Sequence, residues 1–163
     1  MAFYQLHKEQ QIPASIEAVW DFISSPKNLK DITPDYMGFE ITSPNLPDKM
    51  YEGMIISYKV HPILGIPLTW VTEITHVYDL QFFVDEQRIG PYSLWHHQHH
   101  IRPIDGGVHM TDIVTYQPPM AFLGAIANSL FIKKQLESIF DYRFGAIERK
   151  FGKYTLPQPI LKA

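Results

Sequence analysis

Cysteine is absent from the 163 residues. Its absence excludes disulfides, thiolate nucleophiles and every cysteine-containing zinc site, and it suits a reducing compartment. Concentrated positive charge is missing as well: 14 Lys and Arg against 17 Asp and Glu give a formal net charge of −3, with no basic run longer than Lys133-Lys134. Nucleic acids and anionic membranes are recognised through clustered Lys and Arg, so neither is an expected partner. Long hydrophobic runs are lacking too. The longest apolar stretch, MAFLGAIANSLFI at 120–132, falls short of the roughly 20 residues needed to cross a bilayer. The opening MAFYQLHKEQQ lacks the apolar centre of a secretory signal. No GxSxG elbow, phosphate-cradling glycine loop or HExxH pair occurs, which removes support for serine hydrolase, nucleotide and zincin chemistry. The expectation is a cytoplasmic protein with no stable membrane insertion.

What the chain does contain is a 45% hydrophobic composition, enough at this length to bury one core without staples. Tyr4, Leu6 and Ile12 alternate with polar residues up to Pro13, as in a strand closed by a turn. Ser15 stands where a helix N-cap belongs, ahead of the stripe Ile16, Val19, Trp20 and Ile23. Ser25-Pro26 repeats the signal and Pro34 closes it, so two short helices are expected after the first strand. From Gly38 to Pro118 the period is two, interrupted by turn residues at Pro62-Ile63-Leu64-Gly65, Tyr78-Asp79, Gly90-Pro91 and Asp105-Gly106-Gly107. Such spacing describes an antiparallel meander. After Pro118-Pro119 the period returns to 3.6, with Ile132, Leu136, Ile139, Phe140, Arg143, Ile147 and Phe151 on one face of a long helix. Gly145 inside that helix costs about 1 kcal/mol relative to alanine and hints at a closely approaching strand or ligand. No internal repeat or linker divides the chain, so one domain is expected over residues 1–154, followed by a frayed tail at 155–163. The apolar segment 118–130 reads as a cavity lid, a dimer surface or a buried helix start.

The fold class that follows is α+β: a curved antiparallel sheet of about seven strands around a long C-terminal helix, with two short helices after the first strand. The stretch IPASIEAVWDFISSPKNLKDITP (12–34) resembles the opening of the ligand-binding SRPBCC superfamily, which includes START lipid-transfer domains, pollen-allergen-type carriers and polyketide cyclase-dehydratase relatives. FFVDEQRIGPYSLWHHQHHI (82–101), TDIVTYQPP (111–119) and LESIFDYRFGAIERKFG (136–152) are similar to one bacterial branch of it. The resemblance implies a helix-grip fold with a mostly apolar cavity between sheet and helix. It fixes no activity, because this fold hosts carriers and enzymes alike.

Four histidines fall within five positions, in WHHQHH at 95–100. On a strand over 92–104, Trp95, His97, His99 and Ile101 share one face, and His96, Gln98, His100 and Arg102 the other. A two-residue turn at Asp105-Gly106 or Gly106-Gly107 puts Met110, Asp112, Val114 and Tyr116 on the same face as Trp95, with Asp112 across from His99 or Ile101. That face is the more apolar and is assigned to the interior. Alternation does not decide the preceding strand. Placing Asp85 and Gln87 inward leaves the Glu86 and Arg88 pair in water, where neither charge is desolvated.

Buried carboxylates need partners, so Asp85 and Asp112 call for histidines or a polar ligand. One outcome is a satisfied polar network that fixes strand register. Another is ligand recognition, with Tyr58, Trp70, Trp95 and Tyr116 as walls and Asp85, Gln87, His97, His99 and Asp112 as polar contacts, in a protein that binds or carries a small hydrophobic ligand. The alternative is an enzyme of the polyketide cyclase or dehydratase type. In it His97 or His99 serves as a base oriented by Asp85 or Asp112, and Tyr58 or Tyr116 steadies an oxyanion. Two histidines at i and i+2 can also ligate a metal with Asp112. However, no glutamate follows His99 at the spacing of the cupin HxH motif, and no second-shell acceptor for the histidines is apparent from sequence. The expectation is therefore no metal and no cofactor.

Overall fold

In the computed structural model, which describes residues 3–61, 66–118 and 131–156, the alternation at the start of the chain becomes strand β1 (Tyr4–Ile12). Ser15 is extended and its hydroxyl accepts a bond from the Ala18 amide at 3.2 Å, capping α1 (Ile16–Ile23). A cap of this kind is worth about 1 kcal/mol. The α1 stripe buries Val19, Trp20, Phe22 and Ile23. The second helical signal resolves into tighter turns. Pro26–Lys30 and Asp35–Met37 are 3-10 helices, Ser25 makes no side-chain cap bond, and Gly38 ends the second turn at a φ of 53°. The interval before Pro34 is too short to nucleate a stable α-helix, and i→i+3 bonds such as Asp31 N to Asn28 O (3.0 Å) fill it instead.

Strands β2 (Glu40–Ile41), β3 (Ile55–Val60), β4 (Leu68–Tyr78), β5 (Phe82–Ile89), β6 (Leu94–Ile104) and β7 (Gly107–Gln117) complete a seven-stranded antiparallel sheet. Its order is β1-β7-β6-β5-β4-β3-β2, a meander whose last strand returns to pair with the first. Register shifts at Val71/Thr72 and Ile74/His76 bend the long β4 and curve the sheet. The β6–β7 hairpin turns on Asp105-Gly106, with Ile104 opposite Gly107 and Gly106 at a φ of 72°. Gly107 is required for a different reason: a Cβ there would sit 2.1 Å from the Ile12 carbonyl oxygen of β1.

Helix α2 (Lys133–Phe151) lies across the sheet and buries Leu136, Phe140, Arg143, Ala146 and Ile147. Lys8 Nζ to Asp141 Oδ1 (2.8 Å) and Gln10 Nε2 to the Phe144 carbonyl (3.0 Å) tie it to β1. Ile12, Val19, Trp20, Ile56, Ile74, Val108 and Ile147 belong to one core between sheet and helices. The architecture is the α+β helix-grip arrangement. One expectation needs correcting here. Among the described residues no strand crowds Gly145; the nearest group to a Cβ there is the guanidinium end of Arg149, 3.3 Å away. The expected turn at Pro62-Ile63-Leu64-Gly65, the segment 119–130 and the tail 157–163 lie outside the described residues.

Candidate functional site

Strand parity delivers the site. On β6, His97 and His99 point inward and are 5% and 4% exposed; on β7, Asp112 pairs opposite His99 and is 3% exposed. On β5, Asp85 pairs opposite His97 and Phe83 opposite His99. Four charged or polar groups from three adjacent strands are thereby driven into one closed ring. Asp85 Oδ2 lies 3.3 Å from His97 Nδ1 and 2.8 Å from His99 Nε2. Asp112 Oδ1 lies 3.0 Å from His97 Nε2 and 2.9 Å from His99 Nδ1. Each imidazole thus bridges the two carboxylates. From α2, Arg143 Nη2 reaches Asp112 Oδ1 at 3.5 Å and His99 Nδ1 at 3.2 Å.

Apolar surfaces hold the ring in place. Phe83 stacks on His99 with centroids 4.0 Å apart, and Phe140 meets His97 edge-on at 5.4 Å. Low polarity magnifies the electrostatics. Burial pushes the Asp112 carboxyl up, but the Arg143 charge and hydrogen bonds from His97 and His99 outweigh it, holding the group well below the usual carboxylate range. Burial likewise pushes Asp85 up and is outweighed by the His97 charge and by bonds from both histidines, so it too is held low. The histidines part in opposite directions. Burial lowers His97, yet the Asp85 charge and bonds to Asp112 and Asp85 raise it overall; burial and the His97 charge push His99 down.

Next to this ring lies a hollow of about 170 Å³ between the sheet and α2. Tyr58 stacks on Trp70 at 6.1 Å, and Trp70 meets Trp95 edge-on at 5.2 Å. Thr72 fixes the first two, since the Trp70 indole N–H donates to its Oγ1 at 3.0 Å and the Tyr58 hydroxyl lies 2.9 Å away. Of the sequence candidates, Tyr58, Trp70, Asp85, Trp95, His97 and His99 line the hollow. Asp112 stands behind the imidazoles, toward a groove bordered by Lys8, Gln10 and α2. Gln87 does not line the hollow: its amide donates to the Tyr92 carbonyl at 2.7 Å and accepts from the Tyr92 N–H at 3.2 Å, clamping the β5–β6 turn. Tyr116 packs against Tyr4 and Tyr92 instead. The outer histidines serve the surface, His96 Nδ1 at 2.9 Å from Glu86 Oε1 and His100 Nε2 at 3.0 Å from Gln98 Oε1.

Two contributors were not singled out from sequence. Tyr92, in the turn after β5, packs on Trp70 and Trp95 at 5.7 and 5.0 Å; nothing in the local pattern points to it. Arg143 did leave a signal, a lone cation within the apolar stripe of the last helix. A buried arginine needs an anion, and Asp112 is that anion.

Among the described residues no helix is long and apolar enough to cross a membrane. No family model matches the chain, and no curated protein matches it. Solved structures share the fold. Ms6760 from Mycobacterium smegmatis superposes with a TM-score of 0.63 at 15% identity, covering 90% of this chain and 92% of that one. Protein CV1439 from Chromobacterium violaceum gives 0.69 at 9% identity, with 92% and 98% covered. Major latex-like protein 151 from Panax ginseng gives 0.65 at 11% identity, with 93% and 99% covered.

Proposed function

We propose that this protein binds a small, mostly apolar molecule in the hollow between the sheet and α2, and that residues 1–154 form a single ligand-binding domain of the SRPBCC type. The observation that carries this reading is an aromatic enclosure ending in one polar corner. Tyr58, Trp70, Tyr92 and Trp95 meet Asp85, His97, His99 and Arg143 around the same space. Small-molecule sites are built this way, apolar walls with a few convergent polar groups. Arg143 adds a free donor: its buried Nε has no hydrogen-bond partner among the described residues. An unsatisfied buried donor costs about 1–3 kcal/mol, which a ligand oxygen would recover.

Size narrows the ligand class. A hollow of about 170 Å³ is below the roughly 300–1,000 Å³ typical of drug-sized ligands and close to the roughly 150 Å³ cavity that holds one benzene. A single aromatic or alicyclic ring bearing one oxygen acceptor matches that volume. The test is native mass spectrometry of protein purified from its own host, followed by titration of the recovered compound. The expected result is one non-covalent small molecule whose affinity falls at least tenfold in His97→Ala and which is returned chemically unchanged. Turnover that His97→Ala abolishes would replace this reading with the acid–base enzyme, for which the opposite displacement of the two histidines is the supporting feature.

A further inference from the structure

We infer that Asp85, His97 and His99 form a binding site for one divalent transition-metal ion, with Asp112 as the shared carboxylate that orients both imidazoles. The proposal is independent of the organic ligand, since every atom it uses belongs to this chain.

Three donor atoms converge from one side. One donor atom from each of Asp85, His97 and His99 lies within 4.8 Å of the other two, and Asp85 Oδ2 is 3.3 Å from His97 Nδ1 and 2.8 Å from His99 Nε2. A tetrahedral ion with ligands at about 2.0–2.1 Å holds its donors about 3.3 Å apart, so small ring rotations suffice to close the set. Two imidazoles and a carboxylate suit zinc, iron(II), cobalt(II) or manganese(II), and the absence of cysteine disfavours soft copper(I).

The opposite side of each ring supplies what the sequence alone did not. His97 Nε2 and His99 Nδ1 both face the same atom, Asp112 Oδ1, at 3.0 and 2.9 Å. A neutral imidazole has one N–H and one lone pair. Around a bound ion both N–H groups go to Asp112 and both lone pairs turn toward the ion beside Asp85. Without an ion those positions carry the N–H groups that Asp85 accepts at 3.3 and 2.8 Å, and Arg143, a donor only, lies 3.2 Å from His99 Nδ1; the ion takes the place of the protons that face Asp85. Carboxylates accepting from ligating histidines are the usual outer support of a metal site. Arg143, 3.5 Å from Asp112 Oδ1, balances the charge of that support. The ligands sit on paired strands, with Asp85 opposite His97, and Phe83 stacks on His99, so the site is rigid. Because Asp85, His97 and His99 line the hollow, a fourth ligand position faces space that water or a small oxygen donor can occupy.

The full-length protein, stripped of metal with a chelator, is titrated with cobalt(II) and zinc(II). The expected result is one ion per chain at micromolar affinity or better, with cobalt absorption bands of a four- or five-coordinate centre. Asp85→Asn and His99→Ala should each weaken binding at least a hundredfold, Asp112→Asn by about 10–100-fold, while His109→Ala leaves it unchanged. Should a variant fail to fold, histidine-labelled wild-type protein still decides. Long-range proton–nitrogen spectra with zinc should show two ligating imidazoles, one bound through Nδ1 and one through Nε2. No binding up to millimolar metal, binding that survives loss of either histidine in a folded variant, or perturbation of other histidines only would overturn the proposal.

Discussion

Asp85 and Asp112 are the residues that organise the interior. Each is placed by strand parity among partners that offset its desolvation, the histidines for both and Arg143 for Asp112. Both carboxyls are held below their ordinary range, so the stability they contribute is fully present above the unfolded value of about 3.9 and is lost as the pH falls through the lower folded values. Carbon-13 spectra of the side-chain carboxyls of the metal-free protein should show these two still ionised at pH 3.5. A midpoint near 3.9 for either would contradict the paired ring. Removing one partner has a larger consequence than removing a surface charge. Asp112→Ala strands Arg143 and two imidazoles and should cost about 3–5 kcal/mol in urea denaturation. At this scale the sequence was legible where two strands constrained each other: a two-residue turn makes His97, His99 and Asp112 share a face in either register. Gln87 was less legible because a glutamine amide can satisfy itself on any nearby backbone, here Tyr92. That choice depends on turn geometry, which alternation does not encode.

Elements show where local rules hold and where context overrides them. The Ser15 cap and the α1 stripe form as the pattern requires, whereas Ser25-Pro26 opens only a 3-10 turn because too few residues follow before Pro34. Glycine separates the two cases well. Gly145 sits within α2 with, among the described residues, only the end of Arg149 beside it, so Gly145→Ala should raise stability by up to about 1 kcal/mol through helix propensity. Gly107 faces the Ile12 carbonyl at a distance no side chain tolerates. Gly107→Ala should therefore force β1 from β7 and lower the urea midpoint clearly. Equal effects of the two substitutions would contradict the packing of β1 described above. Both glycines look alike in the sequence, one in a helical pattern and one in a turn, because their difference lies in tertiary distance.

For the molecule as a whole, the order of periods along the chain was enough to give the architecture: a strand, short helical turns, a meander of period two, then a long helix. The sheet order follows from that succession, since hairpin-linked strands neighbour one another. The volume and shape of the hollow were not legible, because they depend on how Tyr58, Trp70, Tyr92 and Trp95 pack around one another. Neither was Arg143 as the counter-charge, since it arrives from α2, 31 positions beyond Asp112 in sequence.

The central claim is that the hollow beside the histidine ring admits a ring-sized molecule. Three tryptophans make this directly measurable, because Trp70 and Trp95 line the hollow whereas Trp20, on α1, is packed in the main core with its ring edge-on to Phe83. Indole N–H resonances followed during titration with a one-ring carboxylate such as benzoate provide the reading. Saturable shifts of Trp70 and Trp95, with Trp20 unmoved and the response lost in His97→Ala, are predicted; three unmoved indoles, or uniform drift of all three, would contradict the account.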